Sequence, residues 1–234
     1  MQHDVVNKGE WLRARKELLA KEKEFTRLRD QMTQQIRSLP WERVGKSYVF
    51  QGPDGEESLA TLFGDRDQLA VYHFMLGRGW AEGCPSCSFL ADSFDGIPVH
   101  LANRNVAFVA VSRAPLEEID AYKRRMGWDF KWVSSDGSDF NLDFGVSFEK
   151  EDIDAGKASY NYSPVTGIGE EMPGASFFYK DGDAVYHTYS TYGRGLDILI
   201  GTYNWLDLAP KGRDEDALDY TMSWVRRHDQ YEKT

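Results

Sequence analysis

The residues best suited to chemistry in this 234-residue chain are its only two cysteines, Cys84 and Cys87, within Trp80–Leu90, WAEGCPSCSFL. A thiolate is the reactive form of cysteine. The start of a helix favours it, because unpaired N–H groups and the helix dipole stabilise negative charge there. Pro85 suits a first helical turn, where its missing N–H is not needed and its fixed φ fits. This order makes Cys84 the nucleophile and puts Cys87 one turn on, able to attack a mixed disulfide formed at Cys84. Cys-x-x-Cys beside a βαβ pattern is a redox signature of moderate specificity. Two other readings stay open: a pair of inert buried thiols, or half of a zinc site. Two cysteines exclude a four-cysteine zinc site. His3, His73, His100, His187 and His228 could complete a mixed one, although none shows the close pairing of a zinc finger.

The elements around the pair follow from hydrophobic patterning. Leu69–Leu76 (LAVYHFML) is a continuous apolar run and reads as a buried strand, and Ser88–Asp92 continues from the cysteines as a helix. Val106–Val111 (VAFVAV) is a second buried strand, and Pro115–Met126 is an amphipathic helix through Leu116, Ile119 and Tyr122. Strand, helix, strand, helix in this order implies parallel strands joined by a crossover. Lys131–Ser134 is a further short strand. Tyr48–Phe50 and Glu56–Leu62 flank a Gly52-Pro53-Asp54-Gly55 turn and read as a hairpin, as do Ala175–Lys180 and Ala184–Ser190 around Asp181-Gly182-Asp183. Leu196–Leu208 is apolar nearly all round and predicts a buried helix, and Asp216–Asp229 predicts a last amphipathic helix.

Outside this frame lie two further segments. Lys8–Leu39 has no Gly or Pro beyond Gly9, and Trp11, Leu18, Phe25, Met32 and Leu39 recur at intervals of seven, which predicts one long helix. Its stripe is expected to pack on its own domain, the alternative being a homodimer contact. Glu149–Glu171 is acidic and Gly-rich around Tyr160 and Tyr162, an insertion expected at the surface, with a flap over a site as the alternative. Asp139, Asn141 and Asp143 alternate like a calcium loop. However, Phe144 and Lys150 stand where such a loop needs Gly and Glu, so calcium is not expected.

With 41% hydrophobic residues the chain can fill a core, and a net charge of −10 argues against binding to nucleic acid or an anionic membrane. There is no apolar leader and no run of about 18 apolar residues, so a cytoplasmic protein is expected.

The order strand, CPSC at a helix start, strand, helix, proline-led hairpin and closing helix resembles the thioredoxin fold over about Leu69–Leu208. The segments PWERVGKSYVF, GCPSCSFLAD, DGSDFNLDFGV and FFYKDGDAVYHTYSTYGRGLDILIGTYNWLDLAPKGRDE together resemble the thioredoxin-like family labelled domain of unknown function 899. The resemblance implies an α/β protein with a central mixed sheet flanked by helices. It divides the chain into an N-terminal helical extension over 1–40, a thioredoxin-like domain over 41–210 with the 149–171 insertion, and a C-terminal helix over 211–234. It also implies a cis-proline facing the cysteines, for which Pro173 is the matching position. By the same likeness His73 falls near the buried acid of thioredoxins and would serve Cys87 as base or proton shuttle, the alternative being a hydrogen-bonded core histidine.

SSDGSDFNLDFGV is similar to a segment of peroxiredoxins, but their Pro-x-x-x-Thr/Ser-x-x-Cys arrangement is missing, with Ala81 three residues before Cys84. The expected activity is thiol–disulfide exchange, with Cys84 attacking and Cys87 resolving. Trp80, Pro85, Ser86, Met172 and Pro173 are expected to border the substrate groove. Tyr189, Tyr192 and Arg194 either shape a partner surface or pack. The expected partners are a disulfide-bearing protein or small-thiol substrate and a thiol reductant, and no cofactor is required. A partner-binding protein without activity and a thiol peroxidase using Cys84 are the alternatives.

Overall fold

The computed structural model describes residues 3–232. The chain divides at Pro40 and Trp41 into two units. The first is essentially α1 (Lys8–Arg37). Its start is a capping box: the Asn7 side chain accepts from the Gly9 and Glu10 N–H groups at 2.9 and 3.1 Å, while the Glu10 carboxylate accepts from the Asn7 N–H at 3.3 Å. No residue of α1 is buried. Trp11, Phe25 and Met32 are each more than half exposed.

In the second unit β1 (Glu42–Arg43), the hairpin β2 (Val49–Gly52) and β3 (Gly55–Ser58), and β4 (Gln68–His73) lead to α2 (Pro85–Ala91), which carries the cysteines. There follow α3 (Ile97–Ala102), β5 (Val106–Ser112), α4 (Leu116–Met126), β6 (Trp132–Ser134) and α5 (Phe140–Asp143). The insertion supplies α6 (Lys150–Asp154) and a small hairpin, β7 (Ser159–Tyr160) and β8 (Ser163–Pro164). The long hairpin β9 (Gly174–Asp181) and β10 (Ala184–Tyr192) precedes a 3₁₀ segment, Gly193–Leu199, and α7 (Gly201–Leu206).

The main sheet runs β1-β10-β9-β4-β5-β6-β2-β3. Strand β4 is parallel to β5 and antiparallel to β9, and β5 is parallel to β6. A strand parallel to one neighbour and antiparallel to a hairpin on its other side, with the cysteine helix leaving its end, is the thioredoxin-like arrangement. Flanked on both edges and covered on both faces, β4 needs apolar residues along its middle, which accounts for the run Leu69 to Tyr72 between Gln68 and His73. Its side chains alternate. Leu69 and Val71 enter a cluster with Phe50, Phe63, Val109 and Phe140, while Tyr72 joins one with Phe74, Cys87, Leu90 and Trp132.

Two helices predicted near the C-terminus are corrected. Leu196–Leu208 is not one buried helix: a 3₁₀ segment and α7 meet at Ile200, which is extended, and Ile198, Trp205 and Leu208 are 63%, 78% and 84% exposed. Among the described residues Asp216–Asp229 forms no α-helix, and of the helix expected over 211–234 the described part, 211–232, holds only a 3₁₀ turn at His228–Gln230, 233–234 lying outside the described residues. Asp214 and Met222 take positive φ, 54° and 66°, which no helix continues through. A tertiary anchor overrides the periodicity: the Glu215 carboxylate accepts from the Tyr203 hydroxyl at 2.7 Å, the Trp224 ring N–H at 2.6 Å and the Met222 N–H at 3.0 Å. Glu215→Ala leaves the buried Tyr203 hydroxyl without its acceptor and is expected to destabilise the protein by roughly 2–4 kcal/mol in urea unfolding. A change within error of zero would show that the segment is not held this way.

Candidate active site

After β4 the chain loops out and returns so that the Cys84 N–H donates to the Met75 carbonyl at 3.0 Å. Gly83 then passes against the core. A Cβ there would lie 2.6 Å from the Phe74 ring and 2.7 Å from the Tyr122 ring, so only glycine fits. Cys84 caps α2 and Pro85 is its first residue, as expected from the sequence. The Ser88 hydroxyl donates to the Cys84 carbonyl at 2.9 Å and shares a 2.8 Å hydrogen bond with the Tyr122 hydroxyl, tying the first turn to α4.

Both thiols are free, and their surroundings differ. Cys84 is partly exposed and its pKa falls to about 6. The Cys87 thiol donating to it is the main cause, burial opposes, and the Cys87 and Ser86 N–H groups and the Arg227 charge assist. Cys87 is 1% exposed and its pKa rises well above the ordinary thiol range, first through burial and then through the neighbouring Cys84. Hydrogen bonding from the Tyr72 hydroxyl and the Met75 N–H works in the opposite direction on Cys87. The pair therefore divides into one ionised, accessible sulfur and one protonated, buried sulfur.

Arg227 was not identified from the sequence, because it lies far from the motif in a segment read as an amphipathic helix. Its side chain is 12% exposed and donates to the Gly83 carbonyl from Nη2 at 2.6 Å and from Nε at 3.0 Å. Its Nε also lies 3.1 Å from the Tyr122 hydroxyl, and its Nη1 pairs with Glu82 at 2.8 Å. Arg125 bridges Glu82 and Asp229 at 2.5 and 2.7 Å, and His228 meets Asp92 at 2.7 Å. The end of the chain is thus strapped across the cysteine loop.

His73 is corrected. It lies on the other face of β4, stacked on Phe140 at 5.5 Å, with Nε2 at 2.8 Å from the Ser176 hydroxyl and its pKa pushed down to about 3 by burial. Strand alternation separates it from Cys87 and brings Tyr72 to the thiols. The period-two pattern of β4 was the signal that could have found Tyr72.

A cavity of about 950 Å³ opens at the thiols. It is lined by Cys84, Cys87, Ser86, Met172 and Pro173, and Arg194 also reaches it. Trp80 and Pro85 are not on its wall: Trp80 folds over Gly77, and Pro85 is occupied as the first residue of α2. Tyr189 faces Phe177, and Tyr192 is buried. The Met172–Pro173 bond is trans, since no cis peptide occurs among the described residues. Trans is the lower-energy isomer, and the segment is held by the Met172 N–H on the Val146 carbonyl at 2.8 Å and the Tyr160 hydroxyl on the Pro173 carbonyl at 2.7 Å. The Tyr160 oxygen also accepts from the Gly193 N–H at 2.8 Å. The insertion therefore braces the cavity rim, which goes beyond the surface loop expected.

Among the described residues no three His, Cys, Asp or Glu side chains form a group that could hold a metal, and no helix is long and apolar enough to cross a membrane.

The family model described as "Bacterial protein of unknown function (DUF899)" matches residues 1–231. No curated protein matches the chain. Similar solved structures include peroxidoxin BcpB from Mycobacterium tuberculosis, 12% identical with a TM-score of 0.46, covering 69% of this chain and 96% of that one. A peroxiredoxin Q mutant from Xanthomonas campestris is 15% identical with a TM-score of 0.45, covering 67% and 90%. The mitochondrial 2-Cys peroxiredoxin from Plasmodium falciparum is 14% identical with a TM-score of 0.45, covering 73% and 97%. The activity in each name belongs to that protein.

Because its pKa is lowered, Cys84 stays largely thiolate at pH 7, and its alkylation should fall about tenfold per pH unit only below about 6. Arg227→Gln should move that midpoint upward and Arg227→Lys should restore part of it. His73→Gln should leave it unchanged. A midpoint near 8.5 in the unaltered protein would contradict the site as described.

Proposed function

The chain belongs to the DUF899 family of bacterial proteins of unknown function, and from that premise we propose that this member is a dithiol–disulfide oxidoreductase. The observation that carries the reading is the unequal thiol pair: Cys84 ionised and reachable from the cavity, Cys87 protonated and buried one turn behind it. The Cys84 thiolate attacks one sulfur of a substrate disulfide. A new S–S bond forms to that sulfur, the substrate bond breaks, and the other half leaves as thiolate. Cys87 then attacks the Cys84 sulfur, its proton going to the second departing thiol. The product is a Cys84–Cys87 disulfide and two substrate thiols, two electrons having passed to the substrate.

Tyr72 takes the part first assigned to His73, as a hydroxyl that hydrogen-bonds the Cys87 sulfur while its negative charge develops. Met172 and Pro173 border the substrate's approach, and Tyr160 holds Pro173 in place. A thiol reductant returns the pair to its starting state, and a reducing, cytoplasmic setting suits it.

Two variants test the sequence of steps. With Cys87→Ser, a mixed disulfide between Cys84 and an aromatic disulfide such as 5,5′-dithiobis(2-nitrobenzoate) should accumulate and be visible by mass spectrometry. Cys84→Ser should form none. Tyr72→Phe should form the mixed disulfide at an unchanged rate and release its second thiol on the order of tenfold more slowly, as expected for loss of a hydrogen bond to a charged group. If the reduced protein exchanges no faster than free cysteine at the same pH, the proposal fails.

A further inference from the structure

The same sheet face carries a second cavity, away from the attacking sulfur. The register sets Ala70 beside Phe177 on one side and Phe108 on the other, and Tyr72 beside Ala175. Two alanines thus form a floor without bulk, and Phe94, Phe108 and Phe177 stand around it. The resulting space is about 650 Å³. Protein interiors are close-packed, with few voids larger than a water molecule, so this exceeds what imperfect packing leaves behind. It falls within the roughly 300–1,000 Å³ of small-molecule sites.

The chemistry of its wall is one-sided. Among the described residues, no Asp, Glu, Lys, Arg or His lines it. Four of its polar side chains are already engaged within the protein. The Ser93 hydroxyl accepts from the Gly201 N–H at 3.2 Å, the Thr188 hydroxyl donates to the Phe177 carbonyl at 3.0 Å, and the Asn204 amide donates to the Ile198 carbonyl at 3.4 Å. The Gln68 amide reaches the Arg104 and Asn105 carbonyls, both at 3.4 Å. An ionic group entering here would lose its hydration and meet no counter-charge, whereas an apolar one loses nothing and covers side chains now facing water. Ile97 and Ile198, 40% and 63% exposed, stand at the opening.

We infer that this cavity over Ala70 and Ala175 is a binding site for an uncharged, largely apolar small molecule. The inference is independent of the thiol chemistry. The two sites nevertheless share a wall, since Tyr72 borders both cavities.

The test is a fluorescence titration of the full chain with N-phenyl-1-naphthylamine, an uncharged apolar probe. Saturable binding of one probe per chain is expected, with displacement by decanol at least tenfold better than by decanoate. Ala70→Leu, which fills the floor, should weaken binding at least tenfold without lowering the thermal midpoint or slowing Cys84 alkylation. Ile198→Lys, a change at the exposed opening that leaves the core untouched, should weaken it comparably and decides the matter if Ala70→Leu does not fold. Phe25→Glu, on the exposed stripe of α1, should leave binding unchanged. Three results would each overturn the inference: no saturable binding, binding abolished by Phe25→Glu but kept in both cavity variants, or probe release that tracks dissociation of a self-associated form of the protein on dilution.

Discussion

A negative charge kept half out of water at the head of α2 is the constraint around which this molecule is arranged. A thiolate in a partly buried place needs donors on several sides, and here they come from distant parts of the chain. The Cys87 thiol and the N–H groups of the first helical turn supply the near side. Arg227 supplies charge from the far end of the sequence while gripping the carbonyl of Gly83. The absence of a side chain at Gly83 lets the backbone lie against Phe74 and Tyr122, so that carbonyl, guanidinium and sulfur share one small volume.

Strand β4 divides the labour of the rest. Its alternation assigns His73 to a buried polar chain that runs through the Ser176, Ser190 and His187 side chains, with contacts of 2.8, 2.8 and 2.7 Å. It assigns Tyr72 to the opposite face, where one aromatic ring stands between the thiol cavity and the apolar cavity. A shift of register by one residue would exchange these roles and dissolve both sites at once. The strand is held against such a slip on both edges, by β5 and β9.

What could be read from the sequence was what short-range patterning controls. The long helix α1, the buried strands, the hairpins and the placement of CPSC at a helix start all rest on local periodicity, turn residues and proline geometry. The C-terminal helix failed because a single carboxylate, Glu215, gathers three donors and bends the chain into left-handed turns that its hydrophobic spacing does not announce. His73 was misplaced because an alignment by resemblance ignored which face of β4 it would occupy. The roles of Arg227 and Tyr160 were not legible, although Tyr160 was placed in an insertion with a flap as one alternative, since each acts through a tertiary contact with a backbone carbonyl, and such contacts leave no local mark.

The strap has a consequence for the newborn chain. Gly83 and Arg227 are 144 residues apart. At the usual 5–20 residues per second of synthesis, roughly 7–29 s separate the appearance of the thiol motif from that of its guanidinium partner. During that interval the loop lacks its clasp and Cys84 lacks one of the charges that favour its ionised form.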